Sequence, residues 1–330
     1  MLTRLKKVDV LIVLIILAVI VAIIAPAQGE FAQWFSLATK VAIAVLFFLY
    51  GARLSTNEAL DGLKNWKLHL TILCFTFVLF PIIGLILQPL GHVIGESMYL
   101  GILYLTLVPS TVQSSVAFTS IARGNVAGAI VSASISNLLG VVLTPLLVMA
   151  LMSNVSEAHI NVDGKVFADI AIQLLLPFIL GQLCRRWVAD FAAKKGTKIV
   201  DRGSITMVVY SAFSAGIVAG IWSQINVQQI VFLTLLSIAL VCLMLWLTNL
   251  ISRLLRFSRA DRIAIAFCGS KKSLATGLPM ASVIFASTEV GLLILPLMIF
   301  HQVQLMICSW LATRYSKQDP TEELSQGVSL

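Results

Sequence analysis

The stretch Phe267-Cys268-Gly269-Ser270-Lys271-Lys272-Ser273-Leu274-Ala275-Thr276-Gly277-Leu278-Pro279 puts two lysines, three hydroxyls, two glycines and a proline near the middle of an apolar run from about Ile263 to Phe285. Such a run is long enough to cross a bilayer. An ammonium at that depth costs roughly 3 kcal/mol by insertion measurements and is normally found facing a cavity or a partner. Glycine and proline together predict a helix that breaks partway, and broken helices are how many transporters build a midplane binding site. Ser270, Lys271, Lys272 and Ser273 therefore offer reversible binding of charge. A tolerated kink with snorkelling lysines is the plainer alternative, but snorkelling works poorly from mid-span.

Three further sets have the same character. Thr111, Gln113, Ser114 and Ser115 follow Pro109 in another apolar segment. Ser132, Ser134, Ser136 and Asn137 form a polar run in an otherwise apolar helix, with Ser132 and Ser136 on one face at i,i+4. Serines between membrane helices also serve close packing, whereas Asn137 at mid-depth is harder to assign to packing. His301, Gln302 and Gln304 lie near the centre of a last apolar segment, after Pro296. Soluble catalytic patterns such as H-E-x-x-H and G-x-S-x-G are absent, and Gly269-Ser270-Lys271-Lys272-Ser273 lacks the full P-loop pattern and its strand-to-helix context. The five cysteines (74, 184, 242, 268, 308) are odd in number and show no C-x-x-C. They read as packing residues, neither disulfides nor metal ligands. No enzyme activity, cofactor or metal is expected.

Membrane helices must position these residues. The 330-residue chain is 59% hydrophobic and 12% charged, against roughly half and a quarter in ordinary soluble domains. Spans are expected at about 8–26, 33–52, 68–90, 98–121, 126–152, 167–187, 204–223, 227–251, 263–285 and 290–312. Of the 23 lysines and arginines, all but Lys40, Lys165, Lys271 and Lys272 fall on one side of that arrangement. The positive-inside rule makes that side, and both termini, cytoplasmic. The net charge of +8 thus reports membrane orientation, not nucleic-acid binding. The six tryptophans fall near span ends, as an aromatic belt should. After the second span, Ser55-x-x-Glu58 reads as a capping box opening a short interfacial helix to Trp66. The stretch from Lys317 to Leu330 reads as a polar tail.

Gln113-Ser114-Ser115-Val116-Ala117 matches Lys271-Lys272-Ser273-Leu274-Ala275, with residue numbers 158 apart throughout. Both sit just after a mid-span irregularity, in spans four and nine. A five-span unit repeated once enters the membrane from opposite sides, which predicts an inverted repeat. The expected units are 1–160 and 161–316, followed by the tail 317–330. Each break would present a half-helix N-terminus, electropositive through its unpaired N–H groups, near the midplane.

Leu46-Phe47-Phe48-Leu49-Tyr50-Gly51-Ala52-Arg53-Leu54-Ser55, the turn Ala122-Arg123-Gly124-Asn125-Val126-Ala127 and Phe267-Cys268-Gly269-Ser270-Lys271-Lys272-Ser273-Leu274-Ala275 resemble the bile acid:sodium symporter superfamily. More narrowly, they resemble its SBF-like branch, bacterial relatives of the seventh member of solute carrier family 10, over nearly the whole chain. The resemblance implies an all-α polytopic fold of ten helices in two inverted five-helix repeats. Helices 1, 2, 6 and 7 would form a panel; helices 3–5 and 8–10 would form a core with broken crossing helices 4 and 9. Movement of core against panel would give alternating access. In the sodium-coupled members, span nine carries Glu-Val-Gly-Met-Gln-Asn at the crossing, and its glutamate serves both sodium sites. Phe267 to Lys272 has no carboxylate, the Ser-Asn pair of span four appears as Ser115-Val116, and two span-five hydroxyl positions fall on Ala129 and Ala133. Sodium dependence and bile acid transport are therefore not carried over.

The expected function is secondary active transport of a small anionic organic solute in a bacterial inner membrane, with proton coupling or exchange as alternatives to sodium. The solute, the coupling ion and the lipid bilayer are the expected partners. The rival is a non-transporting membrane regulator that keeps the fold. One of Lys271 and Lys272 is expected to replace sodium as the cation at the crossing. Adjacent helical residues point about 100° apart, so one faces the cavity; Lys271, which aligns with Gln113, is the first choice.

Overall fold

Long apolar runs, interrupted by proline and glycine where a helix must stop, make every described element helical. The computed structural model describes residues 10–53, 65–152, 171–218, 220, 226–285 and 290–317. The Ser55–Glu58 capping box, the basic N-terminus and the tail beyond Lys317 lie outside the described residues.

The chain runs through α1 (Val10–Ile24), α2 (Gly29–Arg53) and α3 (Trp66–Cys74), which passes by a π-helical turn (Phe75–Leu79) into α4 (Phe80–Ile86). Next come α5 (Glu96–Leu107), α6 (Gln113–Ile121) and α7 (Val126–Leu147). The second part holds α8 (Leu176–Leu183), α9 (Arg185–Ala192), α10 (Lys198–Val218) and α11 (Val227–Leu254). It ends with α12 (Arg259–Gly269), α13 (Leu274–Ile284) and α14 (Val290–Ser316).

Among the described residues, five helical stretches are long and apolar enough to cross a membrane: Gly29–Arg53, Trp66–Ile86, Val126–Met152, Val227–Leu254 and Val290–Ser316. The other expected spans correspond to α1, α8, α10 and two pairs, α5–α6 and α12–α13, each divided by a non-helical break. Large apolar side chains face outward on many helices, among them Ile24, Leu183, Val227 and Met306. Such a surface would drive aggregation in water and suits lipid. Trp34, Trp66, Trp187, Trp246 and Trp310 are likewise exposed. The protein is an all-α, multi-pass membrane protein.

Two sets of helices make most of their contacts internally. In one, α2 packs on α8 and α10, and α10 packs on α1. In the other, α3 to α7 pack with α11, α12 and α14. Where the sets meet, α10 touches α13 and α14. The α2–α8 contact requires glycine on both sides. A Cβ on Gly51 would lie 2.0 Å from Phe178 O, and one on Gly181 would lie 2.0 Å from Phe48 O.

Candidate transport site

The two breaks meet. Helix α5 stops because Val108 turns extended (φ −75°, ψ 154°) ahead of Pro109, as the residue before proline prefers. Helix α13 starts anew at Ser273, whose Oγ accepts the Thr276 N–H at 3.2 Å in an N-cap. The Ser273 N–H donates to Pro109 O at 2.8 Å, the Ser110 hydroxyl to Cys268 O at 2.6 Å, and the Ser115 hydroxyl to Phe267 O at 2.8 Å. Backbone groups that helix breaks leave without helical partners are thus satisfied across the crossing, as they must be where no water reaches them.

Two amides brace this junction. Asn137 Nδ2 donates to Ser110 O at 2.6 Å, while its Oδ1 accepts the Thr276 hydroxyl at 2.7 Å, so one side chain holds both broken segments. Gln304 grips the Lys272 peptide from both sides: Oε1 accepts its N–H at 2.8 Å and Nε2 donates to its C=O at 2.8 Å. Gln304 Nε2 also lies 2.8 Å from His301 Nδ1.

The lysines part company. Lys272 Nζ donates to Thr76 O at 2.8 Å, Thr106 O at 2.7 Å and Val108 O at 2.9 Å, and sits 4.3 Å from the centre of the Phe80 ring. Lys271 Nζ lies 4.2 Å from the Phe118 ring centre, is buried, and has no hydrogen-bond partner among the described residues. Neither lines either of the two cavities described below.

A cavity of about 350 Å³ lies between the two sets of helices. Of the residues singled out in the sequence, Thr111, Gln113, Ser114, Ser134, Asn137, Ser273 and His301 line it. The others sit behind that wall. Ser115 is in the crossing, Ser136 Oγ accepts the Ser110 N–H at 3.1 Å, and Ser132 Oγ pairs with His69 Nδ1 at 2.6 Å. Ser270 bonds back to Ala266 O, Gln304 grips Lys272, and Gln302 is half-buried away from the cavity. The opposite wall comes from α2 and α10 and includes Tyr50, Arg53, Asp201 and Arg202. Arg53 is engaged throughout: Nε donates to Ala192 O, one terminal nitrogen pairs with Asp201 Oδ2 at 2.7 Å, and the other donates to Thr197 Oγ1 at 2.9 Å. Arg202 lines the same wall as that closed ion pair.

The model of the SBF-like CPA transporter family matches residues 9–317. The chain belongs to this family. It is 48% identical over 296 residues to an uncharacterized protein of Pseudomonas aeruginosa, PA2026, covering 89% of this chain and 88% of that one. It is 46% identical over 306 residues to "Putative symporter YfeH" of Escherichia coli, covering 91% and 90%. It is 32% identical over 281 residues to sodium/bile acid cotransporter 7 of Danio rerio, covering 82% of each. The family is one of transporters, not enzymes.

Local pattern in this family member did not reveal the α2 and α10 wall. Arg53 lies inside the quoted Leu46–Ser55 motif, and Thr276 lies three residues after Ser273 at capping distance; both were signals within reach. Asp201 and Arg202 had none beyond closing a basic loop.

Proposed function

We propose that the protein carries a small organic anion across a bacterial inner membrane by alternating access. The observation that carries this reading is a pair of cavities on one seam. The first reaches the crossing from the Tyr50–Arg53 end of α2. A second, of about 230 Å³, lies at the Ser36–Ile43 end of α2 and is lined by Lys40, Ser211 of α10 and Ser282 of α13. At 1.5 Å per residue, Lys40 and Arg53 are about 20 Å apart along the helix. Sliding or rocking α3–α7 and α11–α14 against α1, α2, α8 and α10 would exchange which cavity reaches the crossing. The positive-inside pattern assigns the Arg53 end, and both termini, to the cytoplasm.

Contacts at the crossing also support reading 1–160 and 161–316 as inverted repeats. At the offset of 158, Ser115 corresponds to Ser273 and Pro109 to Phe267. The Ser115 hydroxyl donates to Phe267 O and the Ser273 N–H to Pro109 O, so corresponding residues pair across the crossing, one through its side chain and the other through its backbone. Ser110 donates to its own equivalent, Cys268. For the solute, an anion fits best. The first cavity is lined by Arg202, Gln113, Thr111, Ser114 and Thr276, residues that carry a guanidinium, an amide and hydroxyls, while its carboxylate residue, Asp201, is already paired with Arg53. The cavity is near the small end of the roughly 300–1,000 Å³ range of small-molecule sites. The names of the Escherichia coli and Danio rerio relatives agree with ion-linked solute transport.

Counterflow in proteoliposomes tests the reading. Preloading with the right carboxylate, sulfonate or phosphate ester should drive saturable uptake of its labelled form. Uptake no greater than in protein-free liposomes for every such anion, under sodium and proton gradients alike, would count against it.

A further inference from the structure

The environment of Lys272 has the composition of a bound-metal cation site. Three backbone carbonyls converge on Nζ at 2.7–2.9 Å, the distance range of charge-assisted N⁺–H···O bonds, and the Phe80 ring covers it at 4.3 Å. Three acceptors call for three N–H donors, which an ammonium has and a neutral amine lacks. Rings of backbone carbonyls are what channels use to replace the hydration shell of an alkali cation.

The carbonyls are free for identifiable reasons. Thr76 sits in the π-helical turn Phe75–Leu79, where the Phe80 N–H is taken by Phe75 O; the next candidate donor is Pro81, which has no N–H. The Ser110 N–H, which would have closed onto Thr106 O, goes to Ser136 Oγ. Val108 is extended, so its carbonyl has left the helix. Two prolines and a serine thus aim three acceptors from two segments at one point. The cation arrives from a third segment, the α12–α13 break, on a peptide that Gln304 holds from both sides.

We propose that Lys272 is a tethered cation, which fills with the protein's own side chain a monovalent-cation site made by Thr76 O, Thr106 O, Val108 O and the Phe80 ring. No ion from solution is required there, and the positive charge travels with the crossing. The assignment of the site stands apart from the transport reading. Its consequence, that solute movement needs no sodium at this position, rests on it.

The test compares thermal unfolding of the purified full-length protein and its Lys272→Ala variant in sodium, potassium, choline and propylammonium chlorides at equal ionic strength. Propylammonium is the fragment that the substitution removes. The wild type should melt alike in all four. Lys272→Ala should melt lower in choline and recover a large part of the loss in propylammonium or sodium, whereas Lys271→Ala should show no cation dependence. Sodium-specific stabilisation of the wild type would overturn the proposal, as would a Lys272→Ala variant indifferent to the cation. Should the variant fold too poorly in choline, recovery by preparing it in propylammonium or sodium supports the site, and failure in every salt overturns it. A transport arm adds sodium-independent uptake by wild type and sodium-dependent uptake by Lys272→Ala. Absence of transport in both would bear on the functional reading alone, because the melting experiment judges the site by itself.

Discussion

Replacing Gln304 by leucine strips the Lys272 peptide of both its side-chain partners while nearly conserving volume, so packing changes little. The two bonds are 2.8 Å each, Gln304 is fully buried, and Lys272 lies between helices, where no i±4 partner can substitute. Each orphaned buried backbone group costs about 1–3 kcal/mol, or roughly 2–6 kcal/mol for the pair. Measured side-chain hydrogen bonds between membrane helices average only about 0.6 kcal/mol, which sets a floor near 1 kcal/mol. The break cannot re-form helix around Lys272 without pulling Nζ from its carbonyls, so the expected loss lies between these limits, at about 2–3 kcal/mol. At roughly 2 °C per kcal/mol for a large chain, the melting temperature should fall by about 5 °C. Tryptophan-fluorescence melts in detergent measure this, with Gln302→Leu as the neighbouring control, expected to lie within about 0.5 kcal/mol of wild type. A Gln304→Leu variant as stable as wild type would refute the clamp. So would an equal loss in Gln302→Leu, which would point to polarity in α14 instead of the bonds themselves.

Gly51→Ala and Gly181→Ala each force a methyl to within 2.0 Å of a facing carbonyl oxygen, and each should cost about 1–3 kcal/mol. One outward shift of α8 relieves both, so the double variant should cost less than the sum in melting experiments; strict additivity would contradict the shared contact. Arg202→Gln should weaken solute binding, seen as a raised half-saturation concentration in counterflow, with little change in melting temperature. Arg53→Gln should lower the melting temperature, because it loses bonds to Ala192 O, Asp201 and Thr197 together. A single cysteine at exposed Phe191 in a background free of native cysteines should react with an impermeant maleimide from the cytoplasmic side, and labelling from the outside would reverse the assigned orientation.

What could be read from the amino acids alone was whatever depends on neighbours along the chain. Apolar length predicts membrane helices, because every backbone group in lipid must be bonded within the segment. Pro109 and Gly269–Ser270 predict breaks, and the positions 158 apart predict that the breaks are related. The same local signals picked Thr111, Gln113, Ser114, Ser134, Asn137, Ser273 and His301, all of which line the first cavity. What tertiary structure alone decided was the use of each polar group. Lys271 was the stronger choice by its alignment with Gln113, yet Nζ of Lys271 rests against Phe118 behind the wall, and Lys272 is the lysine that finds carbonyls. In the non-helical break the two side chains meet different surroundings, and these come from segments far away along the chain: Phe118 of α6 for Lys271, and Thr76, Phe80, Thr106 and Val108 for Lys272. The cavity's second wall has the same origin. Arg53, Asp201 and Arg202 reach it from helix ends that become neighbours only when α2 and α10 pack together, and no periodicity or spacing along the chain records that contact.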